Sequence, residues 1–194
     1  GWSKVLGKNA EYLIRAGEKY LDYKWRIVPA TAYLAYERTG ERNIMQEPLS
    51  ANRSALNALM LAELAEGKGR FVDQLIDGLW HLSNMPTWVL SAHLPRQKSK
   101  RSLPDPREQL IDLGSGGLAA QVAVAWHFFH ETFDKVDPVI SYVIQEAMKK
   151  QILDPYLNTA EYRPNWWLGF ELKESQVVNN WNPWCNGGIS VGAA

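Results

Sequence analysis

The chain has 194 residues, a length that suits one domain with a sizeable buried core. Lys and Arg together number 21, as do Asp and Glu, so the formal net charge is zero. This balance argues against binding nucleic acid or an anionic membrane by bulk charge, although a local basic patch stays possible. A single cysteine excludes a disulfide framework and a cysteine-rich zinc site. No apolar run approaches the ~20 residues that cross a bilayer.

Apolar residues recur at helical spacing through the first half of the chain. The spacing predicts a helix over 3–20, a second over 29–38 that ends at Gly40, and a third over 47–66. A returning helix is predicted from Phe71 to Trp80.

The second half begins with an irregular stretch over 84–112, which holds four prolines. Helices over 118–133 and 137–153 are predicted to form a hairpin, with Asp137 as the N-cap and Pro138 at the first helical position. The stretch 158–183 is broken but rich in aromatic residues, which is not the composition of a disordered segment. A last helix is predicted with Asn182 as its N-cap and Pro183 following.

These elements predict an all-α chain of six or seven helices in antiparallel hairpins. Strand signals are almost absent, and no sequence repeat of fixed period is visible. Hairpins of similar size without a repeated sequence favour an α/α barrel or toroid over a solenoid. Because the last helix reaches Ala194 without a capping signal and Gly1 is not an initiator Met, we expect the sequence to be part of a larger domain.

Four asparagines, two tryptophans and a glycine pair surround the start of the last helix, over 178–188. Unpaired N–H groups at a helix start can bind an anion, and asparagine amides add neutral donors. Gly187 and Gly188 are costly in a helix unless a ligand or another backbone approaches closely. The same residues also fit an ordinary N-cap with core tryptophans, so both interpretations stay open.

The four histidines and the basic run point less specifically to a function. His93 precedes a basic run over 96–101, which fits either recognition of a sulfate or carboxylate or a solvated loop. His81, His127 and His130 are predicted to be core or interface residues, and no third ligand predicts a zinc site.

The tryptophans divide into two groups. Those in loops or caps are candidate platforms for sugar rings, and they are Trp88, Trp166, Trp167, Trp181 and Trp184. Those predicted to lie on helical faces, and so in the core, are Trp2, Trp25, Trp80 and Trp126.

Three segments together resemble a known family. They are Asn-Asn-Trp-Asn followed by Trp-Cys-Asn-Gly-Gly-Ile over 179–189, Pro86-Thr87-Trp88 with His93-Leu94-Pro95, and Ile111-Asp112-Leu113. The chain from about Tyr23 onward resembles the heparinase II/III-like polysaccharide lyases, especially those of the Bacteroides type. The C-terminal motif is the most specific part of this likeness.

The resemblance implies that residues 1–194 are part of an incomplete (α/α) toroid, with a β-sandwich domain further along the chain. It implies β-elimination on a uronic-acid-containing, glycosaminoglycan-like polysaccharide, without a cofactor and in the periplasm or outside the cell. By position, Asn180 is the catalytic residue that neutralises the substrate carboxylate. A tyrosine and a histidine would complete the site from beyond Ala194. Trp181 stands where several relatives have histidine.

Substrate contacts are expected from residues of the motif and of the irregular stretch, namely Asn179, Trp181, Asn182, Trp88, His93 and Arg96. Two alternatives remain at this stage. One is a hydrolase on the same fold, of the unsaturated glucuronyl hydrolase type, for which the loop carboxylates are Asp105, Glu108 and Asp112. The other is a helical domain that binds a glycan without turnover.

Overall fold

The computed structural model describes residues 1–158, 161, 165–170 and 172–194. The regular structure of these residues is entirely helical, which confirms the predicted all-α class. The nine α-helices of the described ranges are α1 Trp2–Leu6, α2 Asn9–Glu18, α3 Ala30–Thr39, α4 Asn43–Glu66, α5 Val72–Ser83, α6 Leu113–Val136, α7 Val139–Met148, α8 Asp154–Leu157 and α9 Trp181–Ala193. Short 3-10 turns cover Leu94–Arg96 and Trp166–Leu168, and a π-helical segment over Lys149–Leu153 joins α7 to α8.

The predicted first helix is broken into α1 and α2 at Gly7. This residue has φ of 53°, a left-handed conformation that glycine adopts without steric cost, and it interrupts the helical hydrogen bonding. Gly40, with φ of 76°, ends α3 where the sequence predicts it. The third predicted helix is longer than expected, since α4 begins at Asn43.

Helix α6 begins at Leu113 rather than at 118 because Asp112 caps it. The Asp112 carboxylate accepts the Ser115 N–H at 2.7 Å, and the Ser115 hydroxyl accepts the Asp112 N–H at 2.8 Å. Asp137 likewise accepts the N–H of Val139 at the start of α7, at 2.9 Å. The prediction that Asn182 is the N-cap of the last helix is wrong, because α9 already begins at Trp181, whose N–H is accepted by Asn179 at 3.0 Å.

A single apolar core joins the helices. Helix α4 packs against α2 and α5, and α7 packs against α5 and α6, so the predicted hairpin of the two helices that flank Asp137 is present. Fully buried members of this core include Leu56, Leu59, Phe71, Leu75, Leu79 and Phe133. No helix in the described ranges is both long and apolar enough to cross a membrane.

Helices α6 and α9 form the closest helix pair near the predicted site. A Cβ placed on Gly188 would lie 2.0 Å from the carbonyl oxygen of Gly116, so the two backbones touch where neither residue has a side chain. Trp184 donates its indole N–H to the Leu113 carbonyl at 3.3 Å, and Gly192 faces Ala119 further along. Residue numbers rise together along the contact, so the helices run parallel and both N-termini lie at the same end.

This contact predicts opposite effects for two adjacent glycines. Gly188→Ala pushes a methyl group into the α6 backbone, and we expect it to lower the free energy of unfolding by about 2–3 kcal/mol. Gly187→Ala is the matched control, since nothing lies within 4 Å of the position that its methyl group would take. It should be neutral or raise stability by about 0.5–1 kcal/mol through helix propensity. Urea unfolding of both variants tests this, and equal stabilities would contradict the contact.

Candidate functional site

The candidate site is built around a buried aspartate and a histidine from the irregular stretch. The Oδ2 atom of Asp112 lies 2.6 Å from Nδ1 of His93 and accepts the Leu90 N–H at 3.0 Å. Its Oδ1 atom accepts the Ser115 N–H at the start of α6. Because the Asp112 carboxylate acts only as a hydrogen-bond acceptor, the proton between it and His93 lies on Nδ1 of the histidine. In the neutral ring the lone pair is then on Nε2, the nitrogen turned away from Asp112.

Three further side chains complete what we call the His93 cluster, which comprises His93, Arg96, Trp166 and Trp181. The rings of His93 and Trp181 meet edge to face at 4.6 Å, and those of Trp166 and Trp181 lie 5.2 Å apart. The Arg96 guanidinium stacks over Trp166 at 4.1 Å and lies 5.8 Å from Trp181. Among the described residues no carboxylate pairs with Arg96, and a guanidinium stacked in this way can still donate to an anionic ligand.

A cavity of about 300 Å³ opens beside the cluster. His93, Arg96, Lys100, Asn165 and Trp166 contribute to its wall. Lys100 holds a φ of 59°, a strained conformation for a residue with a side chain. The wall therefore combines two cationic side chains, an imidazole, an amide and an indole with apolar residues such as Val89 and Leu110, and it can accept an anionic ligand.

The asparagines at the start of α9 have different roles. Asn179 and Asn180 are exposed, and the side chain of Asn180 makes no hydrogen bond within the described ranges. Asn182 instead donates to the carbonyls of Trp167 and Leu168, at 3.2 and 3.3 Å, and accepts from Asn186 at 3.1 Å. These contacts anchor the 3-10 turn that carries Trp166. Asn182 therefore has a positioning role in the fold, and its expected contact with substrate stays a prediction.

The prediction that Trp88 is a sugar platform is wrong. Its side chain is 0% exposed, and its indole N–H donates to the Leu82 carbonyl at 2.8 Å. Trp167 is equally buried, with its N–H on the Ile111 carbonyl at 2.8 Å. Trp166 and Trp184 remain exposed, so only some of the tryptophans in loops and caps can contact a ligand.

Of the four tryptophans predicted to be core residues, Trp25 and Trp126 pack against the apolar core and the other two do not. Trp2 and Trp80 are exposed by 46% and 44%. Trp25 lies outside the helices and packs against Gly78, with its indole N–H on Gln74 at 2.9 Å.

The predicted basic run divides into residues with different partners. Arg101 pairs with Glu37 of α3 at 2.6 Å, whereas Arg96 and Lys100 line the cavity. The hydrogen bond from Arg101, together with that from the Ser102 N–H, lowers the pKa of Glu37 from 4.5 to about 2. Glu37 thereby ties the segment that follows Lys100 to α3.

The loop carboxylates accept hydrogen bonds from neighbouring residues of the loop. Asp105 accepts two hydrogen bonds from the Arg107 side chain and one from its N–H, and these lower the pKa of Asp105 to about 2. Both oxygens of Glu108 accept the Lys98 N–H. In the part of the chain that the structure describes, no group of three or more His, Cys, Asp or Glu residues is gathered to hold a metal ion. Burial raises the pKa of the Cys185 thiol to about 12, which makes it a poor nucleophile.

Two residues that organise the site are not identified by sequence reasoning. Asp112 is predicted only as a catalytic carboxylate, although the Asp-x-x-Ser spacing with Ser115 is the signal of a helix cap. Asn165 is not predicted at all, and its side chain accepts the Ile111 N–H at 3.1 Å from 54 residues away. No local pattern marks that contact.

The Glu37 pair predicts a specific dependence of stability on pH. Because the folded-state pKa of Glu37 is lowered, its contribution is complete above pH 4.5 and is lost as the pH falls towards 2. Glu37→Gln should therefore be less stable than wild type at neutral pH, and the difference should shrink across that acid range. Urea unfolding at several pH values measures it. Glu131→Gln, at an exposed residue of α6 without an ion pair to any described residue, is the control and should show no such convergence.

Comparison with protein-family models finds none that matches this chain. Comparison with curated proteins finds no significant match either. The assignment of a family therefore stays a prediction from the sequence motifs, and the function has to be argued from the geometry described above.

Proposed function

We propose that this chain is the toroid portion of a heparinase II/III-like polysaccharide lyase, which cleaves a uronic-acid-containing polysaccharide by β-elimination. The observation that carries the proposal is the exposed amide of Asn180, which has no hydrogen-bond partner among the described residues and immediately precedes Trp181 of the His93 cluster at the N-terminus of α9. Asn180 neutralises the substrate carboxylate in this mechanism, and the cluster holds the acidic sugar.

The chemistry requires such a group. The proton at C5 of a uronic acid is weakly acidic, and its removal places negative charge on the carboxyl group as an enolate forms. Donors that are already oriented towards this charge stabilise the transition state more than the ground state. The Asn180 amide offers a neutral donor, and the N-terminus of the 13-residue helix α9 adds its positive dipole end.

The His93 cluster supplies recognition of the sugar. Asp112 fixes the ring of His93, so that Nε2 can accept a hydrogen bond or a proton from the substrate when neutral. Stacking on Trp166 holds the Arg96 guanidinium in place before binding, which reduces the entropy lost when it grips a carboxylate or sulfate. Trp166 therefore acts on the substrate mainly through Arg96.

The helix arrangement is compatible with an incomplete (α/α) toroid. Helices α6 and α9 lie side by side and parallel, while α7 packs against α5 and α6. Parallel neighbours joined through intervening helices are expected when successive helical hairpins are arranged around a common axis. We include this architecture in the proposal.

The hydrolase alternative receives less support. A general acid needs a carboxyl group that can hold a proton near neutral pH, and the ion pair with Arg107 lowers the pKa of Asp105 instead. Asp112 is buried with N–H donors on both oxygens. Binding of a glycan without turnover remains the outcome to distinguish by assay.

The lyase proposal predicts a large effect of Asn180→Asp. The new carboxylate would repel the substrate carboxylate, and loss of one such donor costs about 10²–10³-fold in kcat. The measurement is the ultraviolet absorbance of the unsaturated product formed by the full natural chain from several uronans. Asn43→Asp, at the exposed first residue of α4, is a matched control that should keep wild-type activity. Full activity in Asn180→Asp contradicts the assignment, and no product from any uronan contradicts the reaction.

A second prediction concerns how Asp112 orients His93. In Asp112→Asn the Oδ1 cap of α6 can be kept, while an NH₂ group replaces the acceptor that faces both Nδ1 of His93 and the Leu90 N–H. The ring should then carry its proton on Nε2, and we expect kcat to fall by about 10²-fold or more, as for other misoriented histidines. Nitrogen-15 NMR of the imidazole reports the tautomer separately from activity. An unchanged tautomer with unchanged kcat would contradict this role.

A further inference from the structure

A second groove lies between α4 and α6, distinct from the cavity at the His93 cluster. Its volume is about 610 Å³, and it is shallow and broadly open to solvent. Its exposed lining residues are polar (Ser50, Ser54 and Asn57), and its most buried one is the apolar Met60, with Arg53, Gln121 and Val124 half-buried between them. None of them belongs to the His93 cluster.

Arg53 is the cation of this groove. Its Nε donates to the Gln121 side-chain oxygen at 3.2 Å, and the Gln121 amide donates back to the Arg53 carbonyl at 2.7 Å. This reciprocal pair fixes the guanidinium plane. Within the described ranges neither terminal nitrogen of Arg53 donates to a partner, and no carboxylate lies within ion-pair distance. Half-burial lowers the pKa of Arg53, because partial removal from water disfavours the charged guanidinium.

Helix α6 leaves space for this charge. A Cβ on Gly117 would lie 3.1 Å from a terminal nitrogen of Arg53, so the absence of a side chain at Gly117 allows the guanidinium to lie against the helix. The nearest acidic influence on Arg53 is Asp112. Both oxygens of that residue already accept hydrogen bonds from Leu90, His93 and Ser115. Asp112 therefore stabilises the charge of Arg53 only from a distance, and no described carboxylate forms an ion pair with the guanidinium in the groove.

We propose that this groove is a second binding site for an acidic sugar, in which Arg53 binds a carboxylate or sulfate group. The planar guanidinium suits either oxyanion. Ser50, Ser54 and Asn57 offer hydroxyl and amide groups at the rim for sugar hydroxyls, and Met60 and Val124 give an apolar floor for the ring. The choice of an acidic sugar as ligand rests on the proposed function, whereas binding in this groove needs neither Asn180 nor turnover and can be tested separately.

Equilibrium dialysis of labelled glucuronate against the full natural chain tests the site. We expect Arg53→Gln to weaken this binding about tenfold or more, as loss of a charge-assisted hydrogen-bonded pair does. Arg38→Gln removes the same charge from an exposed residue of α3 and should bind as wild type does. Arg96→Gln separates the groove from the His93 cluster, since it should leave the Arg53-dependent component unchanged. Unlabelled glucose, which lacks the carboxylate, should not displace the label.

A second variant tests the same site without replacing Arg53, in case Arg53→Gln fails to fold. Asn57 is exposed and lies one helical turn after Arg53, so Asn57→Asp places a carboxylate within reach of the guanidinium. This variant should remain folded and should lose the same component of glucuronate binding. Displacement by inorganic sulfate would identify a general oxyanion site, and displacement by glucuronate alone would identify a site for carboxylate sugars. Wild-type binding in either Asn57→Asp or a folded Arg53→Gln overturns the proposal.

Discussion

The backbone contact between α6 and α9 is the constraint on which the candidate site depends. Gly188 lies against the carbonyl of Gly116 at a separation that no side chain could occupy. Because the helices run parallel, this contact brings the capped start of α6 and the asparagine-rich start of α9 to the same end of the molecule. Trp181 can then meet His93 at 4.6 Å, although the two residues are far apart in the sequence.

Asp112 links the stability of the fold to the geometry of the site. One oxygen of its carboxylate caps α6, and the other orders the Leu90 backbone and the ring of His93. The irregular stretch therefore has a fixed anchor where it approaches the helix, and its functional side chains are not free loop residues. A site of this kind is preorganised, since the interactions that position its histidine are also those that hold the helix start.

Sequence reasoning identifies the features that are encoded locally. The helices follow from apolar spacing, and the cluster at the start of α9 follows from its unusual composition. Close approach is predicted for both Gly187 and Gly188, and it is correct for Gly188 alone, because only that residue faces α6. The burial of Trp88 and the hydrogen bonds of Asn182 depend on tertiary packing, so residue type alone predicts the wrong role for Trp88 and misses the anchoring role of Asn182.

The arginines of this chain, whose net charge is zero, differ in whether they pair with a carboxylate. Arg26, Arg70 and Arg107 are paired with carboxylates at the surface, where such pairs contribute little to stability, and Arg101 is paired with Glu37. Arg96 and Arg53 have no carboxylate partner among the described residues, and each borders a cavity instead. An overall balance of charge therefore does not argue against an acidic ligand. Binding of an anion depends on the local cations rather than on the net charge, and Arg53 and Arg96, which form no ion pair with a described residue, each lie beside a cavity.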